Sequence, residues 1–351
     1  AIEAADYFLF SNQLPVAAEI CDQVVRQGGG IEARSRLVRL YEAMEKPAES
    51  LRALEELVQA FPNDVEHRRL LAGQYLQKRD VEKATQQLEA ALQAGGGELQ
   101  DYLQICHLLR FGKDTEKFLQ FTVRAAQLYP REPRVTYFGA LARSRAKQYA
   151  EALKFFDQTA TLAATKAPEL LDDMFHFSRG VALERTGRFD DAAKEFEKSI
   201  QLTPADDTAR AAGTLNYLGY MWLERGEHLD KSEQFIRKAN DLEPDNAAYV
   251  DSLGWILFKR GKFAEALKEL QRAESLMKEI TAEDAEILDH IAQAHDKLNQ
   301  RAKAEEYWKR VLELNPEEKG MTDRARKELG LAAPKSKPAA EPEEKPSPRS
   351  K

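Results

Sequence analysis

The sequence repeats itself at an interval of about 34 residues, and this periodicity limits the possible folds more than any other feature. It is clearest where Gly254 follows Gly219 by 35 residues, each glycine lying within an apolar segment. Gly226 and Gly261 each come 7 residues later, where a helix would end in a turn. Each unit therefore predicts one helix with a small residue in its middle, a tight turn and a second helix. Because such a pair cannot bury its apolar face alone, neighbouring pairs are expected to stack.

These segments resemble the tetratricopeptide repeat family, which has small residues at repeat positions 8, 20 and 27 and proline at position 32. Small residues at positions 8 and 20 allow two antiparallel helices to approach closely, and proline ends the second helix. The template fits the chain in nine registers. Position 8 holds Ala5, Val38, Ala72, Cys106, Gly139, Gly180, Gly219, Gly254 and Ala292, and position 20 holds Ala17, Ser50, Ala84, Phe118, Ala152, Ala192, Ser232, Ala266 and Ala304.

The resemblance implies an all-α fold, a right-handed superhelical solenoid of about nine antiparallel helix pairs with a C-terminal capping helix. The predicted solenoid covers residues 1–318, with repeats at about 1–30, 31–64, 65–98, 99–131, 132–172, 173–211, 212–246, 247–284 and 285–318. The capping helix is predicted at residues 319–331, where Thr322 can cap the helix and Gly330 can end it. Residues 332–351 are rich in Pro, Lys and Glu, which predicts a disordered tail.

Composition and motifs argue against several classes of function. The net charge of −7 disfavours general nucleic-acid binding, and no apolar run is long enough to span a bilayer. Two cysteines, Cys21 and Cys106, are too few for a four-ligand zinc site. Glu286 and His290 could form half of a metal site, but no partner pair follows, so a solvated helix face is the preferred interpretation. We therefore predict no enzyme activity, no cofactor and no metal site.

The resemblance places the groove of the solenoid on the first helix of each pair. By that template, partner-binding residues are expected in two groups. The arginine group lies in the N-terminal half and the second group is largely aromatic; they comprise Arg39, Arg69, Arg110 and Arg143, and Phe177, Asn216, Tyr220, Trp255 and Phe258. Exposed aromatic residues and arginines are common anchors of interfaces. The alternatives left open are that Trp255 and Phe258 pack on neighbouring helices and that the arginines form local ion pairs.

The leading functional hypothesis is a non-catalytic scaffold or adaptor that binds a partner peptide or helix in this groove. Self-association remains a second mode of partnering. The segments around Gly219 and Gly254 resemble bacterial multi-repeat scaffolds, which implies a role in envelope assembly or trafficking and favours a periplasmic or outer-membrane-associated location over the cytoplasm. The first repeat begins inside a helix, so Ala1 is not expected to be the natural start. The alternative hypothesis is a recognition module of a larger enzyme, with the catalytic domain upstream of residue 1.

Overall fold

The computed structural model describes residues 2–316 and 319–332. The predicted tail therefore lies almost entirely outside the described residues, as do residues 1, 317 and 318. Within the described ranges the chain is all-α, with nineteen α-helices, two short 3₁₀ turns and no strand. None of these helices is both long and apolar enough to cross a membrane.

Consecutive described helices are joined by short connections and pack as antiparallel pairs. Their bounds are α1 Ile2–Phe10, α2 Leu14–Arg26, α3 Ile31–Ala43, α4 Pro47–Ala60, α5 Val65–Gln77, α6 Val81–Gln93, α7 Leu99–Leu109, α8 Thr115–Leu128, α9 Pro133–Arg145, α10 Tyr149–Lys166, α11 Asp173–Arg185, α12 Phe189–Leu202, α13 Thr208–Arg225, α14 Leu229–Leu242, α15 Ala247–Lys259, α16 Phe263–Leu276, α17 Ala285–Lys297, α18 Arg301–Leu314 and α19 Lys319–Glu328. Packing between the two helices of a pair is extensive, as in α9 with α10, α13 with α14 and α15 with α16.

The small-residue columns explain why the pairs pack so closely. Every residue at repeat position 20 that was named above is buried, including the larger Phe118 at 1% exposure. At position 8, a Cβ added to Gly219 would lie 2.9 Å from Cγ1 of Ile236 and 3.1 Å from the carbonyl oxygen of Ser232. The backbone of the first helix at Gly219 therefore lies directly against atoms of the second helix, as the repeat pattern predicts.

Every described pair except α7 with α8 has a left-handed residue in the turn between its two helices. Gly187, Gly226 and Gly261 have φ values of 78°, 67° and 77°, which glycine adopts without steric cost. Other pairs place a residue with a side chain at the equivalent turn, such as Glu45 at 55° and Arg79 at 60°. The same turn geometry thus persists where the glycine signal in the sequence is missing.

The chain divides into two compact units, with unit 1 ending at Ala192 and unit 2 beginning at Ala193, inside α12. Unit 1 contains a continuous apolar core from α1 to α9. In unit 2 the last described helix, α19, packs on α17 and α18 and buries Ala325 completely.

Candidate functional site

In both units the first helices of consecutive pairs contact one another. Helix α7 packs on α9 in unit 1, and α15 packs on both α13 and α17 in unit 2. We call the surface formed by α3, α5, α7, α9 and α11 the inner face of unit 1, and the surface formed by α13, α15 and α17 the inner face of unit 2. All nine predicted partner-binding residues lie on these helices or directly at their ends.

Trp255 lies in the middle of the inner face of unit 2, and both faces of its ring are covered. The ring stacks on Phe258 at 4.6 Å between centroids and on His290 at 3.9 Å, with interplanar angles of 13° and 14°. Its Nε1–H donates a hydrogen bond to Oε1 of Glu224 at 2.7 Å. At 5% exposure, Trp255 is a packing residue of α15, as in the alternative left open by the sequence.

His290 is buried at 3% exposure, so the prediction of a solvated face is wrong at this position. Its Nδ1 lies 3.0 Å from Oδ1 of Asp251, which joins α17 to α15. Burial by itself lowers the pKa of His290, but the carboxylate of Asp251, with those of Glu286 and Asp289, raises it above its usual value. The pair is therefore a buried, charge-assisted contact beneath the Trp255 ring. No group of three or more potential metal ligands occurs in the described part of the chain.

A second contact spans the inner face of unit 2 from one side to the other. The hydroxyl of Tyr220 on α13 donates a hydrogen bond to Oε1 of Glu286 on α17 at 2.5 Å, across α15. Burial and the Glu286 carboxylate both raise the pKa of Tyr220, so the phenol stays protonated. Asn216, one turn earlier on α13, is half-buried, and its side-chain oxygen accepts no hydrogen bond from the described residues. The aromatic group thus interacts largely with itself and with nearby carboxylates.

The four arginines of unit 1 fall into different environments. Arg69 on α5 donates two hydrogen bonds to the carboxylate of Asp101 on α7, each at 2.8 Å, so its charge is used to hold two helices together. Arg39 on α3 is exposed and lines a cleft of about 700 Å³ between α3 and α5. Phe177, a member of the second predicted group that lies on α11 of unit 1, is half-buried.

Arg110 and Arg143 form a third environment, in which each guanidinium lies over an aromatic ring. The Arg110 guanidinium carbon is 4.3 Å from the centroid of Phe111, and that of Arg143 is 3.7 Å from the centroid of Phe155. Arg143 also donates to the carbonyl oxygen of Gly139, in its own helix, at 3.0 Å. Within the described ranges, neither guanidinium forms an ion pair with a carboxylate.

Ser35, His67 and Asp64 stand in a row at the same cleft as Arg39. Nε2 of His67 lies 2.9 Å from Oγ of Ser35, and Nδ1 lies 3.1 Å from Oδ2 of Asp64 but outside hydrogen-bonding geometry. Asp64 instead caps α5, because its Oδ1 accepts the backbone N–H of His67 at 3.0 Å. In a Ser–His–Asp triad the aspartate holds the histidine by a hydrogen bond, which is missing here, so we interpret these three residues as helix capping and packing of α3 on α5.

The sequence reasoning missed the groups that surround Trp255 and Arg143. Glu224 and Asp251 lie outside the small-residue columns of the repeat, and Phe155 lies on the second helix of its pair. A signal for Phe155 does exist, because a Cβ on Gly139 would lie 2.7 Å from Cδ1 of the Phe155 ring. Glycine at this position therefore makes room for an aromatic residue of the facing helix.

Comparisons with known proteins agree with the repeat columns and the helix pairing. Two family models, both described as tetratricopeptide repeat, match residues 35–98, and 174–206 with 285–318. A TPR repeat-containing protein of Pseudomonas aeruginosa is 35% identical over 79 residues, which is 22% of this chain. The match spans only 13% of that relative's length.

Solved structures show the same fold at low sequence identity. A tetratricopeptide repeat protein from Parabacteroides merdae is similar with a TM-score of 0.57 and 14% identity, over 76% of this chain and 98% of that one. A chain of the APC/C hetero-tetramer Cut9–Hcn1 is similar with a TM-score of 0.53 and 10% identity, over 93% of this chain and 88% of that one. Tetratricopeptide repeats suggest a protein–protein interaction scaffold. The matched segments show that this chain contains tetratricopeptide repeats at residues 35–98, 174–206 and 285–318, and the paired helices agree with the fold of the similar solved structures.

Proposed function

We propose that this protein is a non-catalytic scaffold that binds a segment of a partner protein on the inner faces of its helix pairs. The observation that carries the proposal is the cleft of about 700 Å³ between α3 and α5. Its volume lies within the usual range of about 300–1,000 Å³ for ligand sites. The cleft combines apolar lining from Ile31 and Leu40 with the exposed guanidinium of Arg39. A side chain of an extended or helical partner segment could therefore bury apolar surface there while meeting a charge at the rim.

The aromatic group of unit 2 has a different role within this proposal. Because Trp255 is covered on both faces, a partner would contact its half-buried neighbours Tyr220 and Phe258 before reaching the tryptophan. Trp255 then acts as a rigid support for the inner face. Asn216, half-buried on α13, completes the proposed contact surface of unit 2, and Phe177, half-buried on α11, belongs to the proposed contact surface of unit 1.

Site-specific photo-crosslinking tests where a partner binds. A photoreactive phenylalanine analogue replaces Arg39 on α3 in one variant and Arg52 on α4 in the control, since both arginines are exposed and belong to the same helix pair. Crosslinking in cells is expected to yield specific partner adducts from position 39 and few from position 52. Equal adducts at both positions would mean that the partner does not select the inner face.

The cellular setting of the scaffold is part of the proposal. The match to a Pseudomonas aeruginosa repeat protein, which reaches only 13% of that relative, supports a bacterial setting. The proposed role in envelope assembly or trafficking rests on the resemblance of the segments around Gly219 and Gly254 to bacterial multi-repeat scaffolds. The competing proposal is a recognition module of a larger enzyme. The complete open reading frame separates the two, because a leader with a lipidation site supports the envelope adaptor and an additional folded domain supports the enzyme.

A further inference from the structure

Arg110 and Arg143 each lie over an aromatic ring, and neither forms an ion pair with a carboxylate of the described residues. Each side chain is half-buried, and each guanidinium carbon lies over a ring, at 4.3 Å from the centroid of Phe111 and 3.7 Å from that of Phe155. Arg69, by contrast, is paired with Asp101. Ring stacking fixes the plane of a guanidinium while leaving N–H groups at its edge able to donate to an anion.

The ring beneath Arg143 is positioned by a recurring feature of the repeat pattern, the small residue at position 8. Position 8 of this repeat is Gly139, and a Cβ there would clash with the Phe155 ring at 2.7 and 2.9 Å. The missing side chain lets Phe155 lie against α9, and Arg143, one turn later on α9, covers the ring. A residue column used elsewhere only for helix packing thus positions a cationic group on the inner face.

Arg110 and the ring beneath it, Phe111, lie directly after the end of α7. Phe111 follows directly and is 76% exposed, so the guanidinium of Arg110 contacts a ring that otherwise lies largely in solvent. The Nε of Arg110 is buried and donates no hydrogen bond to any described residue. The guanidinium of Arg110 is therefore partly desolvated, at a cost in free energy, on the side of its Nε.

The pKa shifts around the two arginines agree with their lack of an ion pair among the described residues. Burial lowers the pKa of Arg143, and the carboxylate of Glu151 opposes this without forming an ion pair. Burial also lowers the pKa of His107, and the charge of Arg110 lowers it further. A partly desolvated cation without a counter-ion costs free energy that an external carboxylate can recover.

The two arginines also occupy the same position in two consecutive repeats. They stand four residues beyond Cys106 and Gly139, the position-8 residues of consecutive repeats, and their helices α7 and α9 are packed together. The axes of packed helices lie about 8–10 Å apart, so the two guanidinium groups are separated by about the width of one repeat.

We propose that Arg110 and Arg143 bind two carboxylate side chains of an acidic segment in the partner protein, one in each repeat. This inference rests on the scaffold function proposed above and specifies the chemistry of the segment that it binds. The net charge of the chain is −7, so a polyacidic peptide has no general attraction for the protein. Binding of such a peptide would therefore report a local site.

A short fluorescein-labelled polyglutamate peptide is the probe, and fluorescence anisotropy measures its affinity. Arg110→Gln and Arg143→Gln are each expected to weaken binding about tenfold, because each removes one charge-assisted contact. Arg134→Gln is the matched control, since Arg134 lies on α9, is 48% exposed and is paired with Glu132. This control is expected to change affinity less than twofold.

A polyglutamine peptide of the same length tests the contact without altering the protein, and it is expected not to bind. Equal weakening by all three arginine variants, or equal binding of the two peptides, would refute the inference. So would the absence of polyglutamate binding to the wild-type protein. If the partner crosslinked at position 39 is bound equally well by the Arg110→Gln and Arg143→Gln variants, the scaffold function stands and the acidic-segment inference fails.

Discussion

Replacement of Gly254 by alanine is the sharpest test of the helix packing inferred from the repeat. An added Cβ would lie 2.6 Å from Cγ and 2.7 Å from Cδ2 of Leu270, and 3.1 Å from its backbone nitrogen. Carbon atoms in contact are normally about 3.5–4.0 Å apart. Leu270 is fully buried and branched at the clashing atom, so relief requires α16 to move away from α15.

The expected change in the free energy of unfolding of Gly254→Ala is the sum of two opposing contributions. Overpacking of a core costs about 1–3 kcal/mol, whereas replacing glycine by alanine inside a helix contributes about 1 kcal/mol of favourable propensity. Gly213→Ala provides the matched control, because Gly213 lies inside α13 and its added Cβ would meet only the Tyr249 hydroxyl, at 3.4 Å. Since the propensity term is common to both, Gly254→Ala is expected to be about 1–3 kcal/mol less stable than Gly213→Ala.

Two measurements follow the effect. Chemical denaturation compares the free energies of unfolding of the two variants, and hydrogen exchange with mass spectrometry locates the change. Protection in residues 247–276, which form α15 and α16, is expected to fall about tenfold per 1.4 kcal/mol. If Gly254→Ala stabilises the protein as much as Gly213→Ala, the close approach of α15 and α16 is not what requires glycine.

Two further predictions concern the inner face of unit 2. Trp255→Ala is expected to lower the free energy of unfolding by about 3–5 kcal/mol, because the ring is buried between Phe258 and His290; unchanged thermal stability with lost partner binding would contradict this. Because the pKa of His290 is raised above 6.5 in the folded state, the contribution of its ion pair is fully present below about pH 6.5 and is lost as the pH rises through the folded pKa. Denaturation at a series of pH values is therefore expected to show a decline in wild-type stability above pH 6.5 that is weaker in Asp251→Asn, and parallel profiles would refute the assignment.

The fold could be predicted from the sequence because the repeat encodes it locally. A small residue such as Gly219, a turn such as that at Gly226 and a second small residue such as Ser232 recur within about 35 residues, and each has one physical purpose in a helix pair. Each pair contacts mainly its neighbours, so nothing distant in the chain is needed to specify the architecture. Even Glu45, which occupies a left-handed turn without being glycine, follows the same geometry.

The inner faces could be located from repeat positions, but the state of each side chain on them could not. The template placed Trp255 and Arg69 on first helices, yet Trp255 is buried by residues from α13 and α17, and Arg69 is neutralised by Asp101 of the next repeat. These partners lie about one repeat away, and the family pattern leaves their identity open. Burial and charge pairing depend on which side chains the stacking of neighbouring helices brings within a few ångströms, and only the tertiary structure determines that.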